Sequence, residues 1–359
     1  MRSGNTYPTI PFPKPRLFSF KIPLKTASMS KMNARPRVLS GIRPTGYLHV
    51  GHLVGALENY AALQDRFECL YMIADWHALT SHYEDPSHLR DWSRENTACL
   101  IAAGVDPEKS VIFRQSDMRE HAELHLMLSM ITPIPWLERV PTYKEQQEQV
   151  KDKDLSTYGF LGYPILQAAD ILIYDAVAVP VGEDQVAHLE LAREIARRFN
   201  HLYGETFLEP KPILTKFPRL PGPDRRKMSK SYGNAIELGA NKDEVGKQVK
   251  RMFTDPQKIH LGDKGHPEDC VVFAFHSAFN PGDVAAVEAG CRDGTRGCVD
   301  CKKSLLDPMW EKMRPVHEAR AALLGDPARL DGILADGARR ARAIASVTLA
   351  RARAAMKLS

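Results

Sequence analysis

Four cations crowd the stretch "DRRKMSKSYGN" at 224–234: Arg225, Arg226, Lys227 and Lys230. Like charges at that spacing repel one another. Pro221-Gly222-Pro223 before them and Gly233-Asn234 after them mark a loop. Such a loop suits a polyanion, and its repulsion is expected to be relieved only when that ligand is present. A second stretch, "SGIRPTGYLHVGHLVGAL" (40–57), follows a short apolar run and leads into a helical pattern. Gly41, Gly46, Gly51 and Gly55 permit close backbone approach there. His49 and His52 bracket Gly51 at the strand-to-helix junction. Free N–H groups at a helix start bind phosphate, and two imidazoles can donate to its oxygens. Either stretch alone fits many nucleotide-binding folds.

A third pattern is C-x20-C-x6-C-x2-C, formed by Cys270, Cys291, Cys298 and Cys301. Four thiolates with one x2 pair fit zinc or an iron–sulfur cluster, and spacing alone does not separate the two. Cys69 and Cys99 fall in apolar runs and are expected to be core cysteines.

The elements that must hold these groups alternate. Strands are expected at 37–42, 69–75, 110–116 and 177–182, and helices at 51–64, 86–104, 121–132, 163–174 and 184–204. A polar stretch fills 142–159. Alternation of this kind predicts an α/β, Rossmann-like, doubly wound parallel sheet with ligands at the carboxyl ends of its strands. After about residue 235 strand signals vanish. The expectation is a catalytic domain over 37–234, with a dimer-interface insertion near 121–160, and an all-helical second domain over 235–359. Leu126, Met127, Met130 and Trp136 are the apolar candidates for that interface.

The chain of 359 residues is 43% hydrophobic and 26% charged, with a net charge of +5. Residues 1–36 carry seven basic residues and no acid, so the +5, less seven, leaves −2 for the rest. Overall charge is therefore no argument for nucleic acid, and any RNA site must be a local patch. The Pro-rich 1–36 segment is expected to be disordered, as an over-long start or an organellar transit peptide. No run of 18 apolar residues predicts a membrane span.

Taken together, His49-Val50-Gly51-His52 and Lys227-Met228-Ser229-Lys230-Ser231 resemble the two signatures of class I aminoacyl-tRNA synthetases. "IADWHALTSHYEDP" (73–86), "SMITPIPWLERVPTYKEQ" (129–146), "YPILQAADILIY" (163–174) and "PVGEDQVAHLELAREIARRFN" (180–200) are similar to the bacterial tryptophanyl-tRNA synthetases, from about residue 38 onward. The resemblance implies ATP as the polyanion, with Mg²⁺ riding on its phosphates. It implies attack of the tryptophan carboxylate on the α-phosphate, then transfer to tRNA-Trp, in a cytoplasmic homodimer. Lys227, Lys230, His49 and His52 become the catalytic candidates. Arg43, Thr45, Gly51, Asp184, Met228, Ser229 and Ser231 join them at ATP.

Tryptophan falls to Asp170, Tyr163, Gln185, His77, Gln167 and Gly41. Indole offers one N–H donor and no acceptor, so its pocket needs one buried acceptor. Asp170 matches the family's indole-binding aspartate. Its surroundings are so apolar, and a buried unpaired carboxylate so costly, that this role is preferred to a carboxylate satisfied within its own helix. Gln167 and Arg43 depart from the family's commoner Met and Gln. Both departures occur in the branch with a four-cysteine [4Fe–4S] motif, which the resemblance places near the anticodon-reading surface. Lys302, Lys303 and the arginines of 339–353 are the expected tRNA contacts. A tyrosyl enzyme of the same fold and a non-charging paralogue are the rival readings.

Overall fold

The computed structural model describes residues 35–140, 156–182, 185–214, 220–229 and 232–358. Strand β1 (Arg37–Ile42) leads to helix α1, which runs as Val50–His52, a π-helical turn Leu53–Leu57 and Glu58–Leu63. Then come β2 (Glu68–Ile73), α2 (Asp75–His82), α3 (Leu89–Ala102), β3 (Val111–Arg114), α4 (Arg119–Ser129) and α5 (Ile134–Glu138). The next elements are α6 (Tyr158–Leu172), β4 (Ala178–Val181), α7 (Val186–Tyr203) and β5 (Lys211–Leu214). Among the described residues, α-helices and a 3₁₀ turn are the elements that follow: α8 (Lys242–Arg251), α9 (Val271–Phe279), α10 (Val284–Arg292), α11 (Cys298–Leu324) and α12 (Pro327–Ala355).

The five strands are parallel in the order β3-β2-β1-β4-β5. The order reverses between β1 and β4, which opens a crevice at their carboxyl ends. Alternation along the strands feeds two cores. Val38, Cys69, Tyr71 and Ile73 face one side with α1, α3 and α11. Leu39, Leu70 and Met72 face the other with α4, α6 and α7. Both faces of β2 are thus covered, which is why "CLYMI" reads as an unbroken apolar run. Helix α3 stops where Gly104 takes φ +104°, a conformation that terminates helices.

The four expected strands are present, with ends shifted by one or two residues, and β5 is added. Helix α6 begins at Tyr158, where Thr157 accepts a hydrogen bond from the Phe160 N–H, so it starts earlier than expected. The helical run after residue 235 is present, but its last helix turns back. Helix α12 packs against β3, and α11 packs against α3.

That return gives the C-terminal arginines partners within the chain. Arg342 donates to the Asp117 carbonyl and pairs with Glu120, Arg353 pairs with Glu123, and Arg351 pairs with Asp175 at 2.6 Å. Arg340 donates to the Pro107 carbonyl at 2.8 Å and Arg339 pairs with Asp336. These arginines clamp α12 to the sheet layer or to itself. The expected N-terminal disorder and residues 141–155 of the interface stretch lie outside the described residues. Within the rest of that stretch, Leu126 and Met130 are 56% and 69% exposed, Ile134 and Tyr158 are also exposed, and Met127 is buried.

Candidate functional site

A cavity of about 630 Å³ opens at the β1–β4 crevice. Its wall holds Gly41, Arg43, Thr45 and His52 from β1 and the start of α1. His77 comes from α2, Tyr163, Gln167 and Asp170 from α6, Gln185 from the start of α7, and Lys227 from the cationic loop. Ten of the predicted residues therefore meet in one place. Asp184, Lys230 and Ser231 lie outside the described residues.

Asp170 sits near the C-terminal end of α6, 1% exposed, and its side-chain partners come from other elements, not from its own helix. The Gln115 side-chain amide donates to both of its oxygens at 2.9 Å. His77 Nε2 stands 2.8 Å from Oδ2 and His121 Nδ1 stands 2.7 Å from Oδ1. The far nitrogen of His121 meets the Tyr174 hydroxyl at 2.6 Å. Burial alone would raise the Asp170 carboxyl. The bonds from His121 and His77 outweigh it and hold the group well below the usual carboxylate range. The tautomers follow: each imidazole presents N–H to the carboxylate, and His121 Nε2 accepts from Tyr174. Desolvation, then the charge on Asp170, pushes the Tyr174 phenol up, so it remains a donor.

Gln115, His121 and Tyr174 carry no motif and escaped the sequence reading. Gln115 directly follows β3, so its place at a strand's carboxyl end was the available signal.

The Tyr163 hydroxyl bonds His188 Nε2 at 2.6 Å, which fixes the ring over the cavity at 6.3 Å from His77. Arg43 donates to the Ser81 hydroxyl at 2.9 Å. The start of α1 is tightly folded. His49 and His52 rings lie 3.8 Å apart, and the His49 N–H donates to His52 Nδ1 at 3.2 Å. Gly51 leaves room for this fold, because a Cβ there would stand 3.0 Å from the His49 ring, which would have to shift. Only His52 of the pair reaches the cavity wall.

The cationic loop is less self-repelling than its sequence suggests. Arg226 pairs with Asp224, and Arg225 pairs with Asp269 at 2.6 Å, so two of the four cations carry their own counter-charge. Met228 is buried in the core against Gly51, which makes its side chain an anchor. Asn234, also missed, clasps the loop. Its amide donates to Asp224 Oδ1 at 2.7 Å and to the Lys227 carbonyl at 3.1 Å, and its carbonyl accepts from the Ser229 N–H at 2.8 Å. Just beyond, Ile236 accepts from the Val50 N–H and Leu238 donates to the Leu48 carbonyl, both at 2.9 Å. The loop's exit is stitched to the start of α1.

The four C-terminal-half cysteines are neighbours. Burial raises the thiols of Cys270, Cys291 and Cys301, the last to about 11, and nearby thiols of the set add to each rise. Yet among the described residues no three His, Cys, Asp or Glu side chains converge where they could hold a metal. The expected metal centre is therefore not formed by these side-chain positions, although its donors are gathered. Cys69 and Cys99 are buried in the core, as expected.

Residues 31–310 match the family described as "tRNA synthetases class I (W and Y)". The chain is 53% identical to the tryptophan–tRNA ligase of Thermotoga maritima over 325 residues, covering 90% of this chain and 99% of that one. It is 42% identical to the tryptophan–tRNA ligase of Aquifex aeolicus, over 90% and 100% of the two chains. The crystal structure of tryptophanyl-tRNA synthetase from Campylobacter jejuni, complexed with ADP and tryptophan, superposes with a TM-score of 0.80 at 33% identity, covering 90% and 100%. With the family match running over most of the chain and relatives at 53% and 42% identity along nearly their whole length, the chain belongs to the tryptophanyl-tRNA synthetases of class I.

Proposed function

We propose that the chain activates L-tryptophan with ATP, releasing pyrophosphate, and transfers the tryptophanyl group to the terminal adenosine of tRNA-Trp. The observation that carries this reading is Asp170, a buried, ionised acceptor in the same cavity wall as His52, Arg43 and Lys227. Indole N–H donates to the carboxylate in place of one present donor. Phenylalanine would strand that acceptor, a loss of roughly 10⁴-fold in typical cases. Tyr163 and Gln185 orient the α-amino group, and His77 and Gln167 flank the ring. Thr45, Gly51, His52 and Arg43 receive the nucleotide. Lys227 and Lys230 neutralise charge on the departing pyrophosphate, a reaction that asks the protein mainly for position and electrostatics. Mg²⁺, carried on the phosphates, adds charge neutralisation when bound. A cytoplasmic site of action goes with this role in translation. Among the described residues no helix is long and apolar enough to cross a membrane.

Two further parts belong to the proposal. The exposed Leu126, Met130, Ile134 and Tyr158 supply an apolar face for a second copy of the chain. The gathered thiols of Cys270, Cys291, Cys298 and Cys301 bind an iron–sulfur cluster or zinc, with a structural role beside the tRNA-reading helices. Metal analysis of protein purified without air separates the cases: iron with equal sulfide marks a cluster. Full metal retention by Cys298→Ser removes that residue as a ligand.

The central test is amino-acid-dependent ATP–pyrophosphate exchange across all twenty amino acids. Exchange with tryptophan alone is expected. Exchange with tyrosine would overturn the pocket assignment, and adenylate formation without tRNA charging would favour a paralogue.

A further inference from the structure

We propose that Arg320 is a positioning residue for adenylate formation, holding in register the two segments that handle the triphosphate. The inference rests on the reading above and extends it to a residue that touches no substrate.

Arg320 lies near the end of α11, and its guanidinium meets Glu95 of α3 as a fork. Nε stands 2.6 Å from Oε1 and Nη2 stands 2.8 Å from Oε2. Both side chains are largely buried. Two parallel bonds fix the plane of a guanidinium as one bond cannot. Such a pair between two helices could be a staple and nothing more. A third body sets it apart. The backbone of Gly239 is seated on the fork: a Cβ there would stand 2.9, 3.0 and 3.1 Å from Nη1, Cζ and Nη2. The tip of a free arginine would swing away. This one is pinned by Glu95, so Gly239 rests on a surface that does not yield.

Gly239 ends a short strap that begins at Asn234. At its start the strap holds Lys227 and Ser229 through the Asn234 side chain. In its middle it is bonded to Leu48 and Val50, on either side of His49. At its end it stands on Arg320. The strap therefore sets the distance between the cationic loop and the start of α1, and the Arg320–Glu95 fork sets the strap. Asp170 and its partners lie outside this chain of contacts. Slack in the fork should move the cations relative to the α-phosphate and leave the tryptophan pocket alone.

The experiment is tryptophan-dependent ATP–pyrophosphate exchange with a parallel tryptophan-binding titration, on full-length protein. Arg320→Lys keeps the charge and loses the fork. Gly239→Ala drives a methyl into it. Each should lower kcat about ten- to hundred-fold, the range for small misplacements of reacting groups, with tryptophan KM and affinity unchanged. The lysine's slimmer end leaves room for the methyl, so the double variant should lose less than the product of the two. Arg94→Lys is the control. Arg94 joins α3 to α12 through Asp331 at 2.6 Å, a comparable tie that misses the strap. It should lower the melting temperature and spare kcat.

Wild-type kcat in Arg320→Lys and Gly239→Ala would overturn the proposal. So would a fall in kcat matched by an equal rise in KM and reproduced by Arg94→Lys, because that is a staple's signature. A wild-type protein with no exchange would overturn the parent reading, which is a separate result.

Discussion

The backbone of Gly337 in α12 lies directly on the Ile112 carbonyl of β3: a Cβ at Gly337 would stand 1.8 Å from that oxygen. The helix and the strand touch main chain to main chain, with no side chain between them. Gly337→Ala cannot be accommodated without lifting α12 off β3, and it should cost about 3 kcal/mol or more, at the high end for a single substitution. Gly332, in the same helix, has open space where its Cβ would be. Gly332→Ala should stabilise by about 0.5–1 kcal/mol, the usual gain for alanine over glycine in a helix. Denaturant midpoints for the two variants should move in opposite directions, and equal shifts would refute the contact.

Asp170→Asn keeps the shape of the side chain but turns one acceptor into an amide donor facing Gln115, His77 and His121. Removing one partner of a buried, charge-assisted pair typically costs about 2–5 kcal/mol, so tryptophan KM should rise by a factor on the order of 10² or more. Preference for tryptophan over phenylalanine should shrink with it. Near wild-type kinetics would remove Asp170 from the pocket.

Acid should act through the same carboxylate. Its folded pKa is depressed, so its contribution to stability is complete above the ordinary carboxylate range and is lost as pH falls toward the folded value. Asp75 runs the other way. Burial raises it against its bonds from Ser116, so its ionised form opposes folding slightly and acid relieves that strain. Melting curves from pH 7 down to pH 3 should show wild type losing more stability than Asp170→Asn. Parallel curves would mean the Asp170 network carries no net linkage.

Asn234→Ala removes three hydrogen bonds that shape the cationic loop. Single-turnover activation should slow about tenfold or more, while equilibrium tryptophan binding is unchanged, the pattern of an interaction made toward the transition state. A rise in tryptophan dissociation constant with unchanged activation would place Asn234 elsewhere.

The sheet was legible where strands are long, apolar and buried on both faces. β5 was not, because "KPIL" is four residues with a proline and a lysine on an edge, with no alternation to read. α2 hid in "DWHALTSH", too short and mixed to show a helical stripe. Site residues were readable when a signature or the family resemblance named them. Asn234 clasps only its own loop, and a loop asparagine carries no spacing that announces this. Gln115, His121 and Tyr174 act through contacts made between elements distant in sequence, and no local spacing reports those. Partners of the C-terminal arginines were hidden for the same reason: Asp175 and Glu123 sit 176 and 230 residues from Arg351 and Arg353.

The docking of α12 on β3 has a consequence for biosynthesis. The strand that leads into Gln115, a partner of Asp170, is covered by a helix made more than 200 residues later, Pro327–Ala355 against Val111–Arg114. A nascent chain stalled anywhere before residue 327 would hold a sheet whose outermost strand lacks its cover. The Asp170 network is thereby tied to a segment synthesised long after the strand beside it, and a chain without α12 would leave β3 bare on that face.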